Sequence, residues 1–257
     1  MQKLSVIITT FNEAHNIEAV LETVKWADEI IVVDSYSTDD TLELAAAYTS
    51  KLLKRKYKGP ADQKNWAIPQ ASHEWILLLD ADERITPNLQ KEIQSWLNRD
   101  IPFDAFLIGR QNFFMGKKVK YSGWQGDAVV RFFHRDRCRY NDKQVHEEID
   151  TNQISVGRLK HKMEHYTFKD SGHFLEKMER YARWSAKDHF DKTPSVTWFH
   201  LFLKPFSRFL KHFFWQRGFL DGKVGFIISV IMAWGVFLRY LYIKEMRLET
   251  GELRQEN

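Results

Sequence analysis

Cysteine is nearly absent. The 257 residues contain one, Cys138, which excludes an internal disulfide and a cysteine-based zinc site and fits a reducing compartment. Glycine-rich phosphate loops are missing as well. The segment TTFNEAHN, which follows the first apolar run, holds no glycine, so backbone amides are not arranged there to cradle a phosphate as in a sugar nucleotidyltransferase. No G-x-G-x-x-G occurs, which argues against a dinucleotide dehydrogenase. The opening MQKLSVIITTFNE has too short an apolar run, and no small-residue cleavage pattern, for a secretory signal, so a cytoplasmic location is expected. Carboxylates all but vanish from one region: among Lys204, Arg208, Lys211, Arg217 and Lys223 stands only Asp221. The net charge of +4 is mild, nucleic acid is not an expected partner, and the oligomeric state is left open. With 28% charged residues the chain reads as soluble and globular, long enough for one substantial core and an appendage.

What is present begins as alternating strand and helix signals, the pattern of a parallel sheet with crossover helices. Leu4 to Thr9 is β-rich, and Asn12 is expected to cap a helix whose Ile17, Val20, Leu21 and Val24 share a face. Glu29 to Val33 ends at Asp34, and Ser37 with Asp40 suggests a capping box for a helix through Tyr48. Lys51 to Lys56 reads as an edge strand and Trp75 to Leu79 as a buried one. Thr86 and Pro87 start a helix striped by Leu89, Ile93, Trp96 and Leu97. The clusters Thr10 to Glu13, Asp34 to Asp39, Gln63 to Asn65 and Asp80 to Asp82 all follow or lie between these strands. Ligands of open α/β sheets bind beyond the carboxyl ends of the strands, so the clusters should converge. From about Asp104 shorter strands follow, at Ala105 to Arg110, Val129 to His134 and Val145 to Ile149, and from Ser171 the pattern is helical.

The stretch WILLLDADERITP ends a greasy run with Asp80, Asp82 and Glu83. These acids either cap the next helix or hold a cation. Thr86 and Pro87 already begin that helix, whereas Mg²⁺ or Mn²⁺ prefers carboxylate oxygens and shares its coordination with substrate phosphates.

In this order and spacing, SVIITTFNEAHNI, IIVVDSYSTDDT, GPADQKNWA and LLLDADE resemble the nucleotide-binding half of family 2 glycosyltransferases. VVRFFHR, VHEEI, HYTFKD and the basic aromatic tail resemble the lipopolysaccharide-core β-glucosyltransferase branch. The resemblance implies a GT-A (Rossmann-like) α/β fold, a mixed sheet flanked by helices. It would occupy residues 1–170, with a nucleotide-sugar half at 1–100 and an acceptor half at 101–170, before a helical, membrane-associating extension at 171–257. It further implies that Phe11 stacks on uracil and that Asp34 accepts a hydrogen bond from the pyrimidine. Thr10, Glu13 and Lys64 would lie around the nucleoside, Asp80 near ribose and metal, and Asp82 on the divalent ion (Mg or Mn). Thr9 stands where many relatives have proline.

Inverting glycosyl transfer needs a base for the acceptor hydroxyl. VHEEI offers Glu147 and Glu148, which point to opposite faces if the segment is a strand. The resemblance favours Glu147, with His146 beside it. The resemblance implies an added histidine metal ligand after the base, and of His161 and His165 the latter fits better because it follows the strand-like stretch. Trp124 and Arg131 are expected near the acceptor, since aromatic faces suit sugars and arginine suits phosphate.

Trp198 to Tyr242 mixes aromatic and basic residues. Its charge-free run, Val224 to Leu238, falls short of the roughly 20 residues of a span, and Pro205, Gly218, Gly222 and Gly225 are expected to break it into two or three interfacial helices. The expected protein is therefore an inverting, metal-dependent hexosyltransferase using a UDP-sugar, glucose first, on a lipid-linked or lipopolysaccharide-core acceptor. It would sit at the cytoplasmic face of the inner membrane, peripheral or monotopic. The Q-x-x-R-W motif of processive members is absent, so one sugar per encounter is expected. A membrane-associated scaffold that binds nucleotide without turnover is the rival reading.

Overall fold

A computed structural model describes residues 2–141, 148–168 and 170–250. The chain folds as two compact units, residues 1–111 with 127–166 and residues 112–126 with 167–257; the segment 112–126 thus groups with the C-terminal helices.

The first unit is built on a mixed sheet. β1 (Leu4–Thr10), β2 (Glu29–Asp34), β3 (Leu52–Lys54) and β4 (Trp75–Asp80) are parallel, in the order β3-β2-β1-β4. The antiparallel half continues from β4 through β8 (Ala128–His134), β6 (Ala105–Phe114) and β9 (Val156–His165) to the two-residue edge strand β5 (Glu83–Arg84). Parallel strands bury both faces, and β1 obeys: Leu4, Val6 and Ile8 join one apolar cluster while Ile7 joins the other. The first cluster is covered by α1 (Ala14–Glu22), through Ile17, Val20 and Leu21, and by α4 (Pro87–Leu97), through Leu89, Ile93 and Leu97. The short α2 (Thr41–Ala46) follows β2, and α3 (Pro60–Ala67) turns Ala61 and Ala67 to the second cluster. As expected, Thr86 caps α4, its Oγ1 accepting from Leu89 N–H at 3.3 Å, with Pro87 at the first helical position.

Two local expectations fail. Asn12 lies at φ 55° one residue before the α1 cap and leaves that helix uncapped by its own side chain. Ser37 binds Asp34 and does not start α2. Asp39 does both jobs, accepting from Ala14 N–H and Thr41 N–H at 3.1 Å each. A carboxylate near two helix starts also meets the positive ends of both dipoles.

The second unit pairs β7 (Lys117–Lys118) with the end of β6 and is otherwise helical, comprising α5 (Ser171–His189), α6 (Lys204–Leu210) and α7 (Gly222–Glu249). The expected glycine breaks are confined to Arg217–Gly222, where Arg217 and Gly222 take positive φ. Gly225 lies inside α7 because a Cβ there would stand 1.9 Å from the Gly218 carbonyl oxygen. α7 thus runs through Arg239 for 28 residues, about 42 Å at 1.5 Å per residue, and the stretch Gly218–Glu249 is long and apolar enough to cross a membrane. One face is occupied by α5: Phe174 clusters with Ile228, and Ala186 with Val236, Tyr240 and Ile243.

Candidate functional site

The parallel register sets the tips of three strands level, with Thr9 beside Asp80 and Thr10 beside Asp34. The loops leaving β1 and β2 are stitched together beyond that line. Asn12 N–H donates to Ser37 Oγ at 2.8 Å, Thr38 N–H to Asn12 Oδ1 at 2.8 Å, and Glu13 N–H to Thr41 Oγ1 at 2.9 Å. The expected convergence of the four clusters is therefore met: Gln63 Nε2 donates to Ser35 Oγ at 3.2 Å, and Lys64 reaches Asp80.

On this rim Phe11 is 57% exposed, although an apolar ring is ordinarily buried. Tyr36, which the sequence reading missed, is equally exposed at φ 64° in the facing loop. Its only sequence signal was an aromatic placed between Asp34 and Ser37. Asp34 is buried and accepts from Ser37 N–H and Oγ–H, one on each oxygen, which leaves further lone pairs. Thr10 Oγ1 and Gln63 Oε1 are buried without a hydrogen-bond partner among the described residues. Buried polar atoms are seldom left unsatisfied, so these two fit a polar ligand at the rim.

The acids of the strand end separate into distinct roles. Glu83 is fully buried and bound by Arg131, whose Nε and Nη2 each donate at 3.0 Å, with Arg110 Nη1 at 3.6 Å. Arg131 Nη2 also donates to Asp80 Oδ2, and its Nη1 to Tyr140 Oη at 3.1 Å. Lys64, expected near the nucleoside, is buried with Nζ 3.2 Å from Asp80 Oδ1, and Thr9 Oγ1 donates to the same oxygen at 3.1 Å. Burial raises the Asp80 carboxyl, but the charges of Arg131 and Lys64, with hydrogen bonds from Lys64 and Thr9, hold it well below the usual range. The cations facing Asp80 and Glu83 are thus the protein's own. Arg131, expected at the acceptor, is instead buried among these carboxylates, because β8 lies against β4 and delivers it there.

Asp82 stands apart. Its Oδ2 is 3.4 Å from His165 Nε2, and the two backbones are locked by the β5–β9 ladder, Glu83 opposite His165, extended by Tyr166 N–H donating to Asp82 O at 2.9 Å. Two ligands about 2.1 Å from one ion, side by side in an octahedron, are separated by about 3 Å. The pair would therefore suit a divalent cation, Asp82 and His165 each supplying one ligand. Among the described residues no group of three or more His, Cys, Asp or Glu side chains is placed to hold a metal. His161 is committed elsewhere, its Nδ1 2.8 Å from Glu92 Oε2. Glu13 accepts from Asn16 Nδ2 at 2.8 Å; burial raises its carboxyl, Asn16 opposes, and the Asp82 charge adds to the rise. A 490 Å³ cavity near this edge is lined by Asn16, Arg84, Glu164 and Tyr166 among others, and by none of Phe11, Asp34 or Lys64.

Glu147 and His146 lie outside the described residues. Trp124 packs in the second unit, its ring 6.0 Å from Phe168 and 6.2 Å from Phe174.

A parallel sheet whose strand tips gather an exposed aromatic, a buried aspartate and an aspartate–histidine pair presents them where open α/β sheets bind their ligands. Residues 5–155 match the model of Glycosyl transferase family 2, and the chain belongs to that family, with the mixed-sheet GT-A fold class and the glycosyltransferase activity expected from it. An uncharacterized glycosyltransferase of Rickettsia typhi is 29% identical over 270 residues, covering 97% of this chain and 89% of its own. The lipopolysaccharide core biosynthesis glycosyltransferase LpsC of Rhizobium meliloti is 24% identical over 251 residues, covering 92% and 93%. The structure of S. aureus TarS 1–349 in complex with UDP-GlcNAc aligns over 97% of this chain and 92% of that one, at 17% identity and a TM-score of 0.48.

Proposed function

We propose that this chain transfers one sugar, with inversion, from a UDP-sugar to a lipid-linked or lipopolysaccharide-core acceptor at the cytoplasmic face of the inner membrane. The observation that carries the reading is the Asp82–His165 pair at 3.4 Å, on the same strand-end side as Phe11 and Asp34, in a family 2 chain. Phe11 stacks on the uracil face, Asp34 accepts from the pyrimidine ring, and Thr10, Glu13 and Lys64 surround the nucleoside. Asp80 faces the ribose while Arg131 and Lys64 keep it ionised. A divalent ion held by Asp82 and His165 would offset the charge that builds on the departing diphosphate. Glu147 takes the acceptor hydroxyl proton as that oxygen bonds to the anomeric carbon and the bond to UDP breaks. The relationship to LpsC supports the lipopolysaccharide-core acceptor, and glucose is the first donor sugar to test.

The test is a screen of UDP-sugars for donor hydrolysis and thermal stabilisation, with Mg²⁺, with Mn²⁺ and with a chelator. One UDP-sugar should respond, the response should vanish with chelator, and Glu147→Gln should abolish turnover while donor still binds. A nucleotide-binding scaffold would be indifferent to Glu147, and absence of binding in every combination ends the enzyme reading.

A further inference from the structure

Large apolar side chains at Trp198, Phe202, Phe206, Leu210 and Phe214 are all exposed, Trp198 at 75%. Their spacing is four throughout. In an unbroken α-helix each step of four would drift by about 40°, so the first and last would face nearly opposite ways. Two wider π-helical segments, Phe199–Leu203 and Lys211–Trp215, flank α6. A wider turn takes less rotation per residue, which offsets the drift and keeps the row on one outward face. α7 adds Phe226, Val230 and Trp234, also four apart and exposed. Phe226 packs against Phe209 and Phe213, so the α6 and α7 surfaces adjoin.

The charge on this surface is of one sign. Asp221, the lone carboxylate of the stretch, is consumed internally by Lys120 N–H, Tyr121 N–H and Ser122 Oγ–H, at 2.9 to 3.0 Å. Lys211, Arg217 and Lys223 are exposed. Arg239 Nε is buried without a hydrogen-bond partner among the described residues. Exposed cations beside aromatic rings suit the phosphate oxygens of anionic headgroups.

α7 is long enough to span, but it is tied along its length to a charged helix. Tyr242 Oη donates to Glu179 at 3.0 Å, Arg183 stacks on the Tyr242 ring at 4.2 Å, and Gly235 opens room for Met178 of α5. Threading α7 through a bilayer would carry Glu179 and Arg183 to hydrocarbon depth, where unscreened charge is strongly disfavoured.

From these observations we infer that the aromatic, basic face of α6 and α7 docks flat on a membrane rich in anionic phospholipid, with the exposed Lys211, Arg217 and Lys223 drawing it to headgroup phosphate and no segment crossing the bilayer. The inference deepens the proposed function by naming how the chain reaches a membrane-held acceptor, and it rests on that reading only for its purpose.

The experiment is flotation of the full-length protein with vesicles of phosphatidylcholine alone or mixed with phosphatidylglycerol, alongside vesicle-free UDP-sugar hydrolysis. Flotation should require phosphatidylglycerol, fall at least tenfold in high salt, and be released by alkaline carbonate. Phe206→Asp with Phe214→Asp, both on the surface, should cut binding at least tenfold while hydrolysis and the melting temperature hold. Lys211→Gln with Arg217→Gln and Lys223→Gln should erase the preference for anionic lipid. Failure to float, resistance to carbonate, or a solution dimer that shields Trp198 and Trp215 from quenchers overturns the inference. Flotation without donor hydrolysis would sink the transferase reading and leave the docking surface standing.

Discussion

Asp82 and His165 meet at 3.4 Å across a ladder of two residues, and the main chain of one is bonded to the residue following the other. His165→Ala should therefore remove one proposed ligand without unfolding the edge. Mn²⁺ affinity by titration calorimetry should drop by at least the ~10- to 100-fold that loss of a ligand's outer-shell partner costs. Asp82→Asn should cost more. Unchanged Mn²⁺ binding in both variants would remove this pair from any metal role.

The buried Glu83–Arg131 pair has a different signature. Breaking such a pair leaves an uncompensated charge and costs about 3–5 kcal/mol, whereas replacing both partners with apolar residues is often neutral. Arg131→Met should lower stability in urea by most of that amount, softened by Arg110 at 3.6 Å from Glu83. Glu83→Leu with Arg131→Met should recover part of the loss. Additive losses would mean the two side chains are not coupled.

Glu29 provides a pH test. Burial raises its carboxyl, but hydrogen bonds from Lys51, Ser5 and Ser72 overcome this and lower it to about 2, against 4.5 when free. A depressed native pKa gives stability that is fully present above the unfolded value and is lost as pH falls. Denaturation midpoints should thus decline between about pH 5 and pH 2, and Glu29→Gln should flatten part of that slope. A variant with the wild-type slope would refute the assignment.

Cys138 is buried, and burial followed by the nearby Asp104 charge pushes its thiol up to about 11. The thiolate is the reactive form, so an aromatic disulfide reagent at neutral pH should leave the native protein unmodified and titrate one thiol after denaturation. Rapid reaction in the native state would contradict this burial.

The parallel core could be read from the chain because its signals are local: apolar runs of strand length, a Thr-Pro helix start, and acids where strands end. Convergence of Thr10, Asp34, Lys64 and Asp80 followed from one topological rule. The fate of the charges did not, since Arg131 meets Glu83 across 48 residues through a strand pairing that no periodicity encodes. Capping failed for a related reason. Asp39 serves a helix that starts 25 residues earlier, while the chemically plausible Asn12 and Ser37 are spent on the contact between loops. Gly225 misled in the opposite sense: glycine read as a helix breaker is there to let a carbonyl approach.

That doubly used Asp39 makes the margins bearing Phe11 and Tyr36 a single mechanical part. Opening either strips the start of α1 of its cap, at about 1 kcal/mol, so the gap between the two rings is set before any guest arrives.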